Sequence, residues 1–326
     1  MNIHILGTGA VGCHIGSVLR AHQNKVTLLL RSTQHVNDFA SRNNTITYRS
    51  QGKTSLVSGF ESAHLASATD NSPIGSLVVA TKAHHTLQAL SPVASRLSAN
   101  STILLLQNGM GIAEELQAKF WSNGQESPRI LVGVNRHAVE RMGPYDICHY
   151  SGYEDADGLI IGEMPSSSGN VKHEGKSELL ETITHIPEFQ AKQLPWKDVR
   201  VQMLKKLIIN SCINPVASVL LTKNKGVLSE GGLNVMHNVC EEAYAVLKDE
   251  LPGETMESLM ELVLRIAESA GENSCSTLQD VRGQRLTEID YINGYICKLG
   301  KERGVQTPVN QTLVNLIHAK EVLYTQ

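Results

Sequence analysis

The sequence predicts an α/β protein in which an N-terminal domain built on a parallel β-sheet is followed by an all-helical C-terminal domain. In the first half, short apolar segments of strand length alternate with segments of helical periodicity. This alternation is the pattern of a parallel sheet with crossover helices. After Pro195 the strand pattern gives way to long helical periodicity. The change places the domain boundary at Pro195, with one domain at 1–195 and the other at 196–326.

The individual elements follow this division. In the first domain, strands are predicted at 2–6, 25–30, 77–80, 102–106 and 130–134, with helices at 10–22, 84–97 and 109–119 between them. Further short strands are predicted at 45–57 and 139–162, and a helix at 177–185. The second domain is predicted to contain helices at 196–221, 233–250, 254–270, 277–303 and 310–324.

Composition narrows the classes of function. A formal net charge of -3 and an aromatic content of 4% argue against nucleic-acid binding, which uses basic surfaces and stacking platforms. The six cysteines form no CxxC pair, and none has zinc-ligand spacing to a histidine, so we expect no bound metal and a reducing compartment. No apolar run reaches the roughly 20 residues of a membrane span, and no signal peptide is visible. We therefore expect a cytoplasmic protein that does not bind membranes.

A glycine-rich string follows the first predicted strand and opens the first predicted helix. Its members are Gly7, Thr8, Gly9, Ala10, Val11 and Gly12, which form a Gly-x-Gly-x-x-Gly pattern. In this context the glycines permit a tight turn and a close approach of a pyrophosphate to the helix N-terminus. The pattern predicts a Rossmann-type domain that binds a dinucleotide. The alternative is a glycine-rich turn without a ligand.

Arg31 follows the second predicted strand, Lys25–Leu30. NAD-selective sites place Asp or Glu at this point, where the carboxylate holds the ribose 2′-hydroxyl. A guanidinium instead suits a 2′-phosphate, so Arg31 favours NADP(H) over NAD(H). A surface arginine at a strand end is the alternative.

Three polar residues share one face of the first helix beyond the boundary. Lys206, Asn210 and Asn214 are spaced i, i+4 and i+8, and most residues between them are apolar. Polar side chains beside a core are costly unless they meet partners or a wet cleft. Pro215 also leaves the carbonyl of Ser211 without its helical partner. The spacing is consistent with a substrate pocket, and equally with a helix whose polar face meets solvent.

Several stretches of the sequence together match the motifs of one known protein family. They are the glycine string with Arg31, Thr-Lys-Ala at 81–83, Gln-Asn-Gly-Met-Gly at 107–111, the helix segment 206–215, and two blocks at 272–280 and 287–295. In these segments and in their order the chain resembles the ketopantoate reductase family. The resemblance implies reduction of 2-dehydropantoate to (R)-pantoate by NADPH, in pantothenate and coenzyme A biosynthesis.

The resemblance also implies roles for individual residues. Lys206 would be the general acid, and Glu288 would contact the cofactor and orient the lysine. Further cofactor contacts would come from Lys82, Asn108 and Val139. Substrate contacts would come from Asn210, Asn214, Asn224, Asn273, Ser274, Cys275 and Ser276. The first domain would thus bind NADP, and the second would carry the substrate-binding and catalytic residues.

Each assignment has a structural alternative. Ser276 would serve as a helix N-cap, because Gln279 follows at capping-box spacing. Glu288 would pair at the surface with Arg285 or another neighbour. Asn108 would belong to a plain turn between a strand and a helix.

Two other functions also stay open. One is a related NADP-dependent 2-keto or hydroxy acid dehydrogenase of another specificity, and the other is a non-catalytic NADP(H)-sensing regulatory protein. In the enzyme interpretations the partner is a small 2-keto acid. The sequence allows a homodimer as well as a monomer.

Overall fold

The computed structural model describes residues 1–66, 71–122, 127–152, 157–165 and 175–325. The chain divides into two compact units, one of Met1–Gln107 with Ile112–Val199, and the other of Asn108–Gly111 with Arg200–Gln326. The division after Val199 lies close to Pro195, where the sequence pattern changes. No sequence pattern indicated that the segment Asn108–Gly111 belongs with the second unit.

The first unit contains the strands and the shorter helices. The strands are Asn2–Leu6 (β1), Lys25–Leu30 (β2), Ile46–Ser50 (β3), Lys53–Val57 (β4), Glu61–His64 (β5), Ser76–Val79 (β6), Thr102–Leu105 (β7), Arg129–Asn135 (β8), Ala138–Gly143 (β9), Asp146–Ser151 (β10), Leu159–Glu163 (β11) and Ala191–Gln193 (β12). The α-helices are Ala10–Ala21 (α1), Thr33–Ser41 (α2), Ala83–Leu90 (α3), Ile112–Phe120 (α4) and Glu178–His185 (α5).

The main sheet has eight strands in the order β12-β11-β8-β7-β6-β1-β2-β5. The six strands from β8 to β5 run parallel, and the sequence pattern predicted five of them. At the other edge, β11 pairs antiparallel with β8 and β12 pairs parallel with β11, so the complete sheet is mixed. β5 was not predicted, because its four residues, Glu-Ser-Ala-His, carry no apolar alternation.

A second sheet of four strands, in the order β4-β3-β10-β9, packs against α1. Its strands lie within predicted strand regions, but their pairing was not predicted. β3 and β10 are parallel neighbours, with Thr47 opposite Asp146, although they are far apart in the chain. The core of the unit fills the space around α1, with Ile5, Ile15 and Leu28 completely buried.

The rest of the chain is helical, as predicted. The α-helices are Trp196–Leu220 (α6), Glu230–Leu247 (α7), Met256–Ser269 (α8), Ser276–Arg282 (α9), Asn293–Arg303 (α10) and Pro308–Val322 (α11). The expectation of one continuous helix at 277–303 was wrong. Gly283 ends α9, Gln284 adopts a left-handed φ of 49°, and a short 3-10 helix at Ile289–Tyr291 precedes α10.

The middle of α6 lies in the core of the second unit. Leu204, Ile208 and Cys212 are completely buried there, together with Met236 of α7 and Leu259 of α8. Burial on this side fixes the rotation of α6 about its axis. It therefore also fixes the face that carries Lys206, Asn210 and Asn214, which we call the α6 polar row. Among the described residues, no helix is long and apolar enough to cross a membrane.

Candidate active site

The glycine string forms the turn between β1 and α1, and two of its glycines have no room for a side chain. Gly7 has a φ of 103°, and a Cβ there would lie 2.6 Å from the backbone of Ala80 and Thr81. A Cβ on Gly12 would lie 1.8 Å from the carbonyl oxygen of Gly7. The first and third glycines are therefore required by the close packing of the turn, the helix and the loop after β6.

Gly9 differs from the other two glycines, because a Cβ there would meet nothing within 4 Å. It is the N-cap of α1, no side chain caps this helix end, and the first turn contains no acidic residue. Unpaired N–H groups and the helix dipole make such an end attractive to an anion. The turn thus fits the pyrophosphate of a dinucleotide.

The other residues of the string support the turn. Ala10 is the first residue of α1, Val11 packs against the core of the first unit, and the carbonyl of Thr8 accepts a 3.4 Å hydrogen bond from the Cys13 thiol. Burial raises the pKa of Cys13 to about 12, so this thiol remains protonated and can donate.

The remaining candidate cofactor residues of the first unit lie at three places. Arg31 is exposed directly after β2, and its Nε donates to Nε2 of His35 at 2.9 Å. Lys82 is the N-cap of α3, and its loop passes the glycine turn at Ala80 and Thr81. Val139 lies in β9 of the small sheet and packs against the core. The structure thus brings the Lys82 loop to the glycine turn.

Lys206 is half-buried on α6, and its Nζ donates a 2.9 Å hydrogen bond to Oδ1 of Asn108. The preceding residue, Lys205, forms a 2.6 Å ion pair with Glu254 of the α7–α8 loop. The amide oxygen of Asn108 that accepts from Lys206 is neutral and lies 98 residues away in the chain. An ammonium ion has three donors, so this bond still allows it to meet a substrate oxygen.

Asn108 is held by a specific contact of its own segment with the turn before α10. Gly109 has a φ of 85°, and a Cβ there would lie 2.4 Å from the carbonyl oxygen of Tyr291. The same carbonyl accepts a 2.9 Å hydrogen bond from the backbone N–H of Met110. The Asn108–Gly109 turn therefore does more than connect a strand to a helix, since it fixes the amide that accepts from Lys206.

Glu288 directly precedes this same turn and is only 4% exposed. The alternative of a surface pair with Arg285 or another neighbour is wrong because Glu288 is buried, and Arg285 pairs with Asp280 at 3.3 Å. Burying a carboxylate is costly, so a buried Glu288 beside the turn that holds Asn108 is expected to have a specific role.

Pro215 lies inside α6 and cannot donate to the carbonyl of Ser211, as expected. Asn293 of α10 takes over this carbonyl, since its Nδ2 donates to Ser211 at 3.0 Å and to Oδ1 of Asn310 at 3.0 Å. Both asparagines are completely buried. Sequence analysis missed this function of Asn293, and the only signal for it was the unpaired carbonyl that Pro215 implies.

The start of α9 corrects one structural expectation. Its N-cap is Cys275, whose sulfur accepts from the backbone N–H of Leu278 at 3.4 Å, and Ser276 is the first residue of the helix. Cys275 also donates to the carbonyl of Asn214 at 3.7 Å. Burial raises the pKa of the Cys275 thiol, which keeps this donor protonated. The interpretation of Ser276 as the N-cap is therefore wrong.

Asn224 connects the same region to the turn before α9. Its backbone N–H donates to the carbonyl of Asn273 at 3.1 Å, and its Nδ2 donates to Ala270 at 3.0 Å. Its Oδ1 is buried and has no hydrogen-bond partner among the described residues. The hydroxyl of Ser274 accepts from Arg282, and Asn210 is half-buried on the polar row of α6.

The second unit thus joins several predicted site residues in three groups. Lys206 meets Asn108, Asn214 meets Cys275, and Asn224 meets Asn273. Two family models match this chain. The model described as "Ketopantoate reductase PanE/ApbA" matches residues 3–165, and the model of the C-terminal part of that protein matches residues 198–321. This chain belongs to the ketopantoate reductase family.

Whole-chain comparisons agree with this assignment. A 2-dehydropantoate 2-reductase from Salmonella typhimurium is 32% identical over 331 residues, covering 99% of this chain and 96% of the other. A PanE/ApbA family ketopantoate reductase from Ralstonia eutropha superposes with a TM-score of 0.80 at 25% identity over the full length of both chains.

One structural neighbour shows the fold alone. A D-mandelate dehydrogenase, solved with NADH and anilino(oxo)acetate, superposes with a TM-score of 0.83 at 21% identity over the full length of both chains. The two-part architecture is therefore shared with a dehydrogenase of another name, and substrate choice depends on side chains rather than on the fold.

Proposed function

We propose that this protein reduces 2-dehydropantoate to (R)-pantoate, with NADPH as the hydride donor, in pantothenate and coenzyme A biosynthesis. The observation that carries the proposal is the 2.9 Å hydrogen bond from Lys206 Nζ to Asn108 Oδ1, on a helix whose polar row continues through Asn210 and Asn214. Membership of the ketopantoate reductase family supports the reaction class.

The first part of the chain, residues 1–195, would bind the cofactor. The bare N-terminus of α1 with its open Gly9 would hold the pyrophosphate, and Arg31 would bind the 2′-phosphate that distinguishes NADPH from NADH. Lys82, Asn108, Val139 and Glu288 would make further cofactor contacts. NADPH supplies the hydride that reduces the keto carbon.

The second part, residues 196–326, would bind the substrate and supply the proton. Lys206 would donate its proton to the keto oxygen, and its charge would stabilise the developing alkoxide. The hydrogen bond to the neutral amide oxygen of Asn108 restrains the ammonium group. Glu288 would orient the lysine from its buried position.

Two of the proposed substrate contacts use groups that the fold leaves available. Because Cys275 takes the N-cap position of α9, the hydroxyl of Ser276 is not needed as the helix cap. The buried Oδ1 of Asn224 would accept from the substrate hydroxyl. Asn273, Ser274 and Cys275 would form the segment that holds the carboxylate and hydroxyl end.

The direct experiment follows the consumption of NADPH by purified full-length protein with 2-dehydropantoate. We expect turnover that saturates with substrate and a much weaker reaction with NADH. Faster turnover with another 2-keto acid, or oxidation of D-mandelate, would favour a related dehydrogenase of different specificity. Tight binding of NADPH without oxidation by any branched 2-keto acid would favour a sensing protein instead.

A homodimer and a cytoplasmic location belong to the proposal as well. The exposed apolar side chains of Leu316, Val322 and Leu323 on the C-terminal helix support a subunit contact. Sedimentation analysis at several protein concentrations tests the dimer, and fractionation of the source cells tests the location.

A further inference from the structure

Three histidines lie together inside the first unit. His14 is on α1, His137 is in the link between β8 and β9, and His149 is on β10. Their relative exposures are 0%, 6% and 4%. One ring nitrogen from each lies within 4.8 Å of the other two. Their spacing in the sequence predicted no metal site, because they are brought together by pairing of the small sheet and its packing on α1.

Three ring nitrogens face the centre of the cluster, and we call them the inner nitrogens: Nε2 of His14, Nδ1 of His137 and Nε2 of His149. Their arrangement suits a metal ion. Nε2 of His14 is buried and has no hydrogen-bond partner among the described residues. Nδ1 of His137 and Nε2 of His149 are 3.1 Å apart. Two nitrogens that share a tetrahedral Zn²⁺ are separated by about 3.3 Å, since each Zn–N bond is about 2.0–2.1 Å long. Binding of one ion would bring the three inner nitrogens from within 4.8 Å to about 3.3 Å of one another.

The outer nitrogens are held by oxygen atoms. Nδ1 of His14 and Nδ1 of His149 lie 3.0 Å and 2.9 Å from the hydroxyl oxygen of Tyr48. Nε2 of His137 lies 3.0 Å from the carbonyl oxygen of Phe189. Histidines that bind metals commonly donate their second ring N–H to such an oxygen, which fixes the tautomer and the ring orientation.

Two glycines make room for the His137 ring. A Cβ on Gly152 would lie 2.7 Å from Nδ1 of that ring, and a Cβ on Gly158 would lie 2.9 Å from its Nε2. The backbone therefore passes against the imidazole at both places without a side chain. This packing restrains His137 in the orientation that directs Nδ1 toward the other two histidines.

We propose that His14, His137 and His149 bind one Zn²⁺ ion, which links α1 to the small sheet, with a water molecule as the fourth ligand. Imidazole suits zinc among the common divalent ions, and three protein ligands with one open position form a known type of zinc site. The ion would brace α1, whose N-terminus forms the glycine turn.

The alternative is a chain of neutral hydrogen bonds without a metal. His14 would donate to Tyr48, Tyr48 to His149, His149 to His137, and His137 to the carbonyl of Phe189. That chain uses every group except Nε2 of His14, which stays buried without a partner. An ion would use this nitrogen, with Tyr48 accepting from both His14 and His149, and use of the buried nitrogen favours the zinc site.

The test measures zinc binding to full-length protein that has been stripped with a chelator, reloaded and desalted. We expect about one Zn²⁺ per chain, a midpoint of thermal unfolding that rises with zinc concentration, and a tetrahedral absorption spectrum with Co²⁺. His14→Gln, which retains hydrogen-bonding capacity, should lose the bound metal and the zinc-dependent rise. The matched control is His22→Gln, because His22 lies at the exposed end of the same helix.

Two outcomes would overturn the proposal. One is wild-type protein that retains no zinc after desalting and unfolds at the same temperature with and without it, which would leave the neutral chain as the explanation. The other is retention of all the zinc by a normally folded His14→Gln or His149→Gln variant, so failure of one variant to fold still leaves the other to decide. None of these measurements depends on reductase activity.

Discussion

The glycine turn and the α6 polar row are two candidate sites that are built in opposite ways. The glycine turn depends on side chains being absent, since Gly7 and Gly12 have no space for a Cβ and Gly9 leaves the helix end open. The α6 polar row depends on side chains that are present and held in place. Asn108 accepts a hydrogen bond from Lys206, and Asn293 donates one to the Ser211 carbonyl. A site made of backbone groups can be encoded by six consecutive residues. A site made of side chains needs partners from distant segments.

This comparison is tested most strongly at Lys206. Lys206→Ala should lower kcat by roughly 10²–10⁴-fold, which is the usual contribution of a positioned general acid. Steady-state NADPH oxidation with 2-dehydropantoate measures the effect. The matched control is Lys205→Ala, whose ion pair with Glu254 is a structural contact. Equal losses in the two variants, or wild-type turnover in Lys206→Ala, would contradict the role of Lys206.

The support of the α6 row is tested at Asn293. Asn293→Ala should destabilise the protein by about 1–3 kcal/mol for each of the two acceptors that lose their partner. Chemical denaturation measures the free energy of unfolding. The control is Asn315→Ala, because Asn315 is exposed and accepts only from Gln311 at 3.0 Å. Similar stability of the two variants would mean that Asn293 is not needed to satisfy the Ser211 carbonyl.

The glycine turn should separate stability from binding. Gly12→Ala places a Cβ 1.8 Å from the Gly7 carbonyl oxygen, and should cost about 1–3 kcal/mol of stability, as overpacking does. Gly9→Ala meets no neighbouring atom, so it should unfold at the wild-type temperature and weaken NADPH binding about tenfold or more. Thermal unfolding measures the stability of the two variants, and fluorescence titration measures their affinity for NADPH. Unchanged NADPH binding in Gly9→Ala would argue against a pyrophosphate at this turn.

The last expected effect concerns cofactor choice and is confined to one cofactor. Arg31→Ala should raise KM for NADPH about 10- to 100-fold, because a hydrogen bond to a charged group contributes about 1.5–3 kcal/mol, and should leave KM for NADH nearly unchanged. Arg42→Ala is the control, since Arg42 is exposed at the other end of α2. A parallel loss with both cofactors would show that Arg31 does not bind the 2′-phosphate.

The sequence pattern predicted the structure correctly where that structure depends on residues close together in the chain. Strand–helix alternation predicted five of the six parallel strands, and the spacing of Lys206, Asn210 and Asn214 placed them on one face of α6. The pattern failed where helical periodicity continued through the break between α9 and α10. There Gly283 and the left-handed Gln284 turn the chain, and packing decides whether such a glycine interrupts a helix.

The sequence by itself determined the alternation of strands and helices in the first part, the helical character of the second, the glycine turn and the residue types on the α6 row, because periodicity and turn chemistry act over a few residues. Only the tertiary structure decided that Asn108 belongs with the second unit, that Cys275 rather than Ser276 caps α9, and that His14 of α1 lies beside two histidines from distant parts of the chain. Each of these depends on which buried polar group finds which partner. That choice is made between segments far apart in the chain, when the core closes around them.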